Sequence, residues 1–289
     1  LHIVTTMLLT PIESAGSPDY SETTDFDGQP RASLSPVDIG ADAGVFLVLD
    51  QSGPSIETTP LEGICGTADT ALTGVHITDA TGVPVMGSLV PRIYYRKNAG
   101  AWVSRVGILT SGSATNGYWR FNLVMADVGG IAIGDVIDYF ILAQDISGPP
   151  NISSAPACAT ASDVNTLILP PPTPYTASVK GSISGTFTVG VGGDYTTLTA
   201  AVADYNSKCL TGPVVFLLTD AAYPSETFPI SINQVPGQSA ANTLTIRPGV
   251  GNVATISGSS TSCIIRFNGA DWVILDGSNS GGTDRSLTL

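Results

Sequence analysis

Leu244-Thr245-Ile246-Arg247-Pro248, Ala254-Thr255-Ile256-Ser257, Ile264-Ile265-Arg266-Phe267 and Trp272-Val273-Ile274-Leu275-Asp276 are short apolar runs, each closed by turn-forming residues. They are too short for helices and are cut by Gly, Ser and Asn, so they read as strands. The step from Ala254–Ser257 to Val273–Asp276 is 19 residues, which predicts one coil of a three-sided parallel β-helix. Ahead of them Val214–Leu218 and Phe228–Ile232 have the same texture, and Leu287–Leu289 follows. Leu198, Ala201, Val202 and Tyr205 fall at i, i+3, i+4 and i+7, with Thr196 or Thr197 placed to cap; this spacing predicts one amphipathic helix, set to cover the first coil. The final coil is expected to lack such a cover, and an open strand edge invites pairing with another chain.

Working outward, Pro170-Pro171-Pro172-Thr173-Pro174 reads as a stiff spacer, because consecutive prolines favour extended geometry. Before it, strand candidates recur with turns between them: Ala71–Thr78, Pro91–Arg96, Trp102–Ile108, Gly117–Leu123, Gly134–Asp145 and Asp163–Leu169. Lys97-Asn98-Ala99-Gly100 is a hairpin signal, and Gly134–Asp145 is apolar enough to lie in the middle of a sheet. This number of strands suits an immunoglobulin- or fibronectin-like sandwich. Residues 1–50 hold too few strands to bury a core alone. The expected organisation is all-β: 1–50 as the closing segment of a β-helix, 51–169 as the sandwich, 170–174 as the linker, and 175–289 as the cap helix and first coils of a parallel β-helix.

Composition agrees. Of 289 residues, 43% are apolar and 12% charged, with a mean hydropathy of +0.26, which argues against disorder. The apolar runs are far shorter than the ~20 residues of a membrane-spanning helix, and no signal pattern opens the chain, so a precursor or larger parent is expected if it is exported. A net charge of −13, from 24 acids and 11 bases, disfavours nucleic acid, whose phosphates would be repelled. Residues 1–44 alone carry seven acids and one base.

The residues from Val189-Gly190-Val191-Gly192-Gly193-Asp194-Tyr195 through Ala201-Val202 carry a family resemblance. So do Leu244–Pro248 and Gly269-Ala270-Asp271-Trp272-Val273-Ile274-Leu275-Asp276-Gly277. They resemble the opening of pectate-lyase-like right-handed β-helices in large secreted proteins of Bacteroidota. Asp25–Arg31 and Asp38–Asp42 resemble the closing coil of the same family. Pro91–Arg96 and Asp138–Asp145 resemble strands of its immunoglobulin-like spacers. The resemblance implies an exported surface protein, an adhesin, stalk or filament, whose partners are neighbouring β-helix units or copies of itself, and surface glycans. It specifies no reaction.

Cys65, Cys158, Cys209 and Cys263 show no CxxC spacing, and only His2 and His76 accompany them, so a zinc site is not expected. Wide spacing in a strand-rich, Lys-poor chain fits two disulfides in an oxidising compartment, and module membership predicts Cys65–Cys158 and Cys209–Cys263. Asp25, Asp27, Asp38 and Asp42 are candidate calcium ligands, a hard-oxygen set short of a full EF-hand loop, weighed against ordinary Asx-turns. Calcium is the one candidate cofactor. Asp220, Asp271, Asp276, Arg247 and Arg266 are the residue types of a polysaccharide-cleaving groove, but their neighbours are turn formers. No catalytic residue is expected; the alternatives to a structural segment are a carbohydrate- or calcium-binding module and an ancillary part of a polysaccharide-degrading enzyme. Trp102, Trp119, Tyr94, Tyr95 and Tyr118 would form a sugar platform only on a shared exposed face, and alternation predicts core for most.

Overall fold

The fold is described from a computed structural model covering residues 9–10, 23–24, 26, 28, 47–48 and 50–289. The chain is mostly β, 44% strand, and Leu198–Asn206 is the one α-helix among the described residues. No helix among them is long and apolar enough to cross a membrane.

Two sheets, mainly antiparallel, form the first module. One runs Ile64–Cys65, Tyr175–Lys180, Val136–Gln144, Arg92–Lys97, Val103–Val106, with Ile152–Ala155 also on Val136–Gln144. The other runs Ser55–Glu57, Thr70–Thr78, Asn116–Leu123, Ile108–Gly112. They share one core. Ile93, Tyr95, Ile137, Tyr139 and Ile141 come from the first sheet, and Leu72, Val75, Ile77, Trp119, Phe121 and Leu123 from the second. Asn116–Leu123 alternates exposed and buried along its length, as a strand with one wet face must. Val136–Gln144 is covered on both faces: Phe140 and Leu142 point the other way, into a second small core with Tyr94 and Val164. Thr160–Asp163 and Thr166–Leu169 form a hairpin whose Ala161 and Leu167 pack on that core. Uniform apolarity in this strand therefore reflects its central place.

The single strand expected over Trp102–Ile108 divides at Gly107. Val103–Val106 stays in the first sheet and Ile108–Gly112 enters the second. A side chain at Gly107 would run into the Phe121 ring, so only glycine lets the chain turn this corner against the core.

The proline run, expected to separate modules, leads instead into Tyr175–Lys180, which pairs antiparallel with Val136–Tyr139 and parallel with Ile64–Cys65. Ala177 and Val179 of this strand are buried in the first core. The change of module falls at Gly181, where Ser182–Val189 begins a new parallel sheet.

That second module is a β-solenoid of about four turns. One face stacks Ser182–Val189, Cys209–Leu218, Leu244–Pro248 and Val273–Leu275. A second stacks Ala222–Tyr223, Ala254–Ile256 and Leu287–Thr288, and a third Ile230–Asn233 on Ile265–Asn268. All pairs are parallel. The expected 19-residue coil is corrected. Val214 pairs with Leu244 and Leu244 with Val273, while Ile230 pairs with Ile265, giving coils of 29 to 35 residues. Ala254–Ile256 and Val273–Leu275 lie on different faces, so the step between them spans only part of a turn.

The helix forms as its spacing predicts. Thr197 is the N-cap, its hydroxyl accepting from the Ala200 amide at 3.1 Å, and Leu198, Ala201, Val202 and Tyr205 are buried. The carboxylate of Glu226 accepts from the Leu198 and Thr199 amides, satisfying donors that a helix start leaves free. At the other end Asn206 lies beside Ile230–Asn233, its Nδ2 donating to Ser231 O at 2.8 Å and its Oδ1 accepting from Asn233 N at 3.0 Å. One side-chain amide thus copies the donor–acceptor pair of a neighbouring strand and closes the edge of the third face.

Candidate functional site

The strongest constellation surrounds Lys180-Gly181-Ser182. Immediately before Gly181, Lys180 pairs with Cys65; immediately after, Ser182 pairs with Cys209. Gly66 N donates to Lys180 O and Cys209 N to Gly181 O, each at 2.8 Å. Cys65 and Cys209 are joined by a disulfide with their Cα atoms 5.7 Å apart, within the usual range. The predicted pairs Cys65–Cys158 and Cys209–Cys263 are therefore replaced by a bridge between modules, leaving Cys158 exposed and Cys263 half-buried as free thiols. The reason is topological: Tyr175–Lys180 returns to lie beside Ile64–Cys65 and then runs directly into the solenoid, so the two modules share one strand path. A disulfide fits an oxidising compartment.

The calcium candidates Asp25, Asp27, Asp38 and Asp42 lie outside the described residues. A different acid group does converge: carboxylate oxygens of Asp50, Asp79 and Asp145 lie within 4.8 Å of one another, with Asp79 and Asp145 buried. Asp79 Oδ1 accepts from the Thr81 and Gly82 amides, and Asp145 Oδ1 from the Ser147 and Asn151 amides. Thr81 Oγ1 bridges Asp50 and Asp79 at 2.9 Å each. These are bonds of the Asx-turn kind, and they already engage one oxygen each of Asp79 and Asp145 with backbone amides. Local reading finds the turn at Asp79-Ala80-Thr81-Gly82 but cannot see three distant acids meeting.

Of the groove-type residues of the solenoid, Arg247 and Arg266 lie in strands and the three acids outside them. Asp276 Oδ1 accepts from Ser278 N, and Asp220 Oδ2 from Val191 N. Asp271 is engaged through its backbone by Gln234 and Gln238. Arg266 donates to Ser262, and Arg247 pairs across the coils with Leu217. Asp284 accepts from the hydroxyls of Ser278, Ser280 and Ser286; these bonds hold its carboxyl well below the usual range and knit the loop ahead of Leu287–Thr288.

Of the five aromatics considered for a sugar platform, Trp119, Tyr94 and Tyr95 are buried. The Tyr95 hydroxyl, raised to about 12 first by burial, donates to Asp127 at 2.6 Å. The Arg105 guanidinium beside Asp127 holds that carboxyl at about 2. Trp102 is half-buried, edge-on to Phe140 and beneath the Arg96 guanidinium, 4.5 Å from its centroid. Tyr118 alone is exposed, at 46%, stacked on His76 with centroids 4.6 Å apart. The five do not share a face.

No protein-family model matches this chain, and no curated protein is significantly similar to it.

Proposed function

We propose that this chain is a rigid structural segment of an extracellular bacterial surface protein, of the stalk, adhesin or filament kind. It joins an immunoglobulin-like spacer to the first coils of a right-handed, pectate-lyase-like β-helix and has no chemistry of its own. The observation that carries this reading is the joint at Gly181, where a continuous strand path and the Cys65–Cys209 bridge clamp the two modules together. A catalytic or sugar-binding part needs a groove or a platform; a load-bearing part needs a joint that cannot bend. The acidic surface, with a net charge of −13, suits a protein that stays soluble outside the cell.

Small-angle scattering and limited proteolysis test the reading. The oxidised protein should scatter as one stiff particle and resist cleavage near Gly181, whereas a Cys65→Ser/Cys209→Ser variant should bend and be cut there. An oxidised protein already flexible at this joint would contradict it.

A further inference from the structure

Asn116–Leu123 turns Tyr118, Arg120 and Asn122 to the outer face of its sheet, since the residues between them are buried. Side chains on one face of a strand follow one another at about 7 Å, so the three form a row. His76 pairs with Tyr118 and Ala71 with Asn122 on the neighbouring strand Thr70–Thr78, and Ile108 pairs with Arg120 on the other side. The Tyr118 and His76 rings stack at 4.6 Å, and Tyr118 and Ile108 are 46% and 50% exposed. The platform that the five aromatics do not make together is supplied by one of them with a histidine.

On the same strand pair lies a cleft of about 520 Å³, whose lining includes Asp69, Ala71, Arg120 and Asn122. A β-bulge stands opposite Arg120. Leu72 pairs with Phe121 and Val75 with Trp119, so Thr73 and Gly74 together face that one residue. Gly74, at φ +70°, takes one of the two places without a side chain. Among the described residues the Arg120 guanidinium and the Asn122 amide have no hydrogen-bond partner. Asp69 uses only Oδ1, which accepts from Met125 N at 2.8 Å. The cleft therefore offers unused donors on Arg120 and Asn122 and unused acceptors on Asn122 and Asp69. This mixture selects the ligand. An anion would find Arg120 but meet Asp69, and a cation the reverse. A neutral polyhydroxylated molecule, whose hydroxyls both donate and accept, uses every one of these groups, and its apolar C–H face suits the exposed Tyr118 ring.

We propose that this outer face binds a neutral oligosaccharide, with one sugar ring against Tyr118 and the next held in the cleft by Arg120, Asn122 and Asp69. Recognition of this kind involves no reaction, so it gives the chain a ligand without giving it catalysis. It goes beyond the structural reading and does not rest on it. The residues belong wholly to the antiparallel module, and none takes part in the Gly181 joint.

Isothermal titration of the oxidised full chain tests it, with neutral tetrasaccharides of β-1,4-linked glucose, mannose, xylose and N-acetylglucosamine as probes. At least one should bind at millimolar concentration or below. For that sugar, Tyr118→Ala and Arg120→Ala should each weaken binding by about tenfold or more, the loss expected of a side chain central to a contact. Both side chains are open to water, and an unchanged melting temperature checks that each variant folds. Tyr118→Phe, which keeps the ring, should retain the affinity. Ile168→Ala, 60% exposed on the hairpin of the other sheet, should bind as the wild type does. An acidic tetragalacturonate should bind more weakly than the neutral sugar, because Asp69 repels it. Failure of all four neutral sugars to bind would overturn the proposal. So would an affinity that survives both alanine variants, or tighter binding of the acidic chain.

Discussion

His76 sits on the outer face of Thr70–Thr78, its Nε2 donating to Asn116 Oδ1 at 2.9 Å and its Nδ1 3.4 Å from Glu57. The Asn116 bond first, and the Glu57 bond second, hold its pKa above the ordinary imidazole value. Whatever stabilisation this gives is fully present below the unfolded value of about 6.5 and is lost as pH rises through the higher folded value. Proton NMR should find His76 titrating above the ordinary imidazole value of about 6.5, and Asn116→Ala should move it down; an unmoved midpoint would remove the hydrogen-bond explanation. Sequence made His76 legible as a strand residue but not its partners, because Glu57 and Asn116 reach it only through cross-strand register. Cysteines fail in the same way. Grouping Cys65 with Cys158 assumes that modules are contiguous in sequence, and one returning strand is enough to break that assumption.

Among elements, the helix Leu198–Asn206 was fully legible, since its buried face follows the 3.6-residue period and its cap is a local signal. Its place over the first coil was expected as well, but the pairing of Asn206 with Ser231 and Asn233 was not. Asn206→Ala should leave the Asn233 amide and Ser231 carbonyl unpaired, costing about 1–3 kcal/mol. Faster hydrogen exchange at Asn233 should report it. Successive coils offer a second comparison. Ile246→Ala removes a fully buried side chain and should cost about 2–5 kcal/mol. Leu275→Ala, at the matching position of the next coil but 37% exposed, should cost no more than about 1 kcal/mol. Equal losses in chemical denaturation would mean that Leu275 is as well covered as Ile246. Tyr175–Lys180 was hidden by the prolines before it, which punctuate the chain without saying which sheet the next strand joins.

Across the whole molecule, the all-β class and the parallel solenoid were legible because short apolar runs separated by turns admit few alternatives. The coil length was not, since repeats on different faces look alike until they are paired. The bridge between modules closes 144 residues of chain, worth about 5 kcal/mol in the chain-entropy model. Cys65→Ser/Cys209→Ser should lose up to that amount in guanidinium titration, with one cooperative transition separating into two as the modules come apart. The joint itself is tested most directly by non-reducing peptide mapping of the oxidised chain. Cys65 should be recovered linked to Cys209, with Cys158 and Cys263 as free thiols. A Cys65–Cys158 peptide would mean that the edge of the antiparallel module does not meet the solenoid, and that the two modules are not clamped.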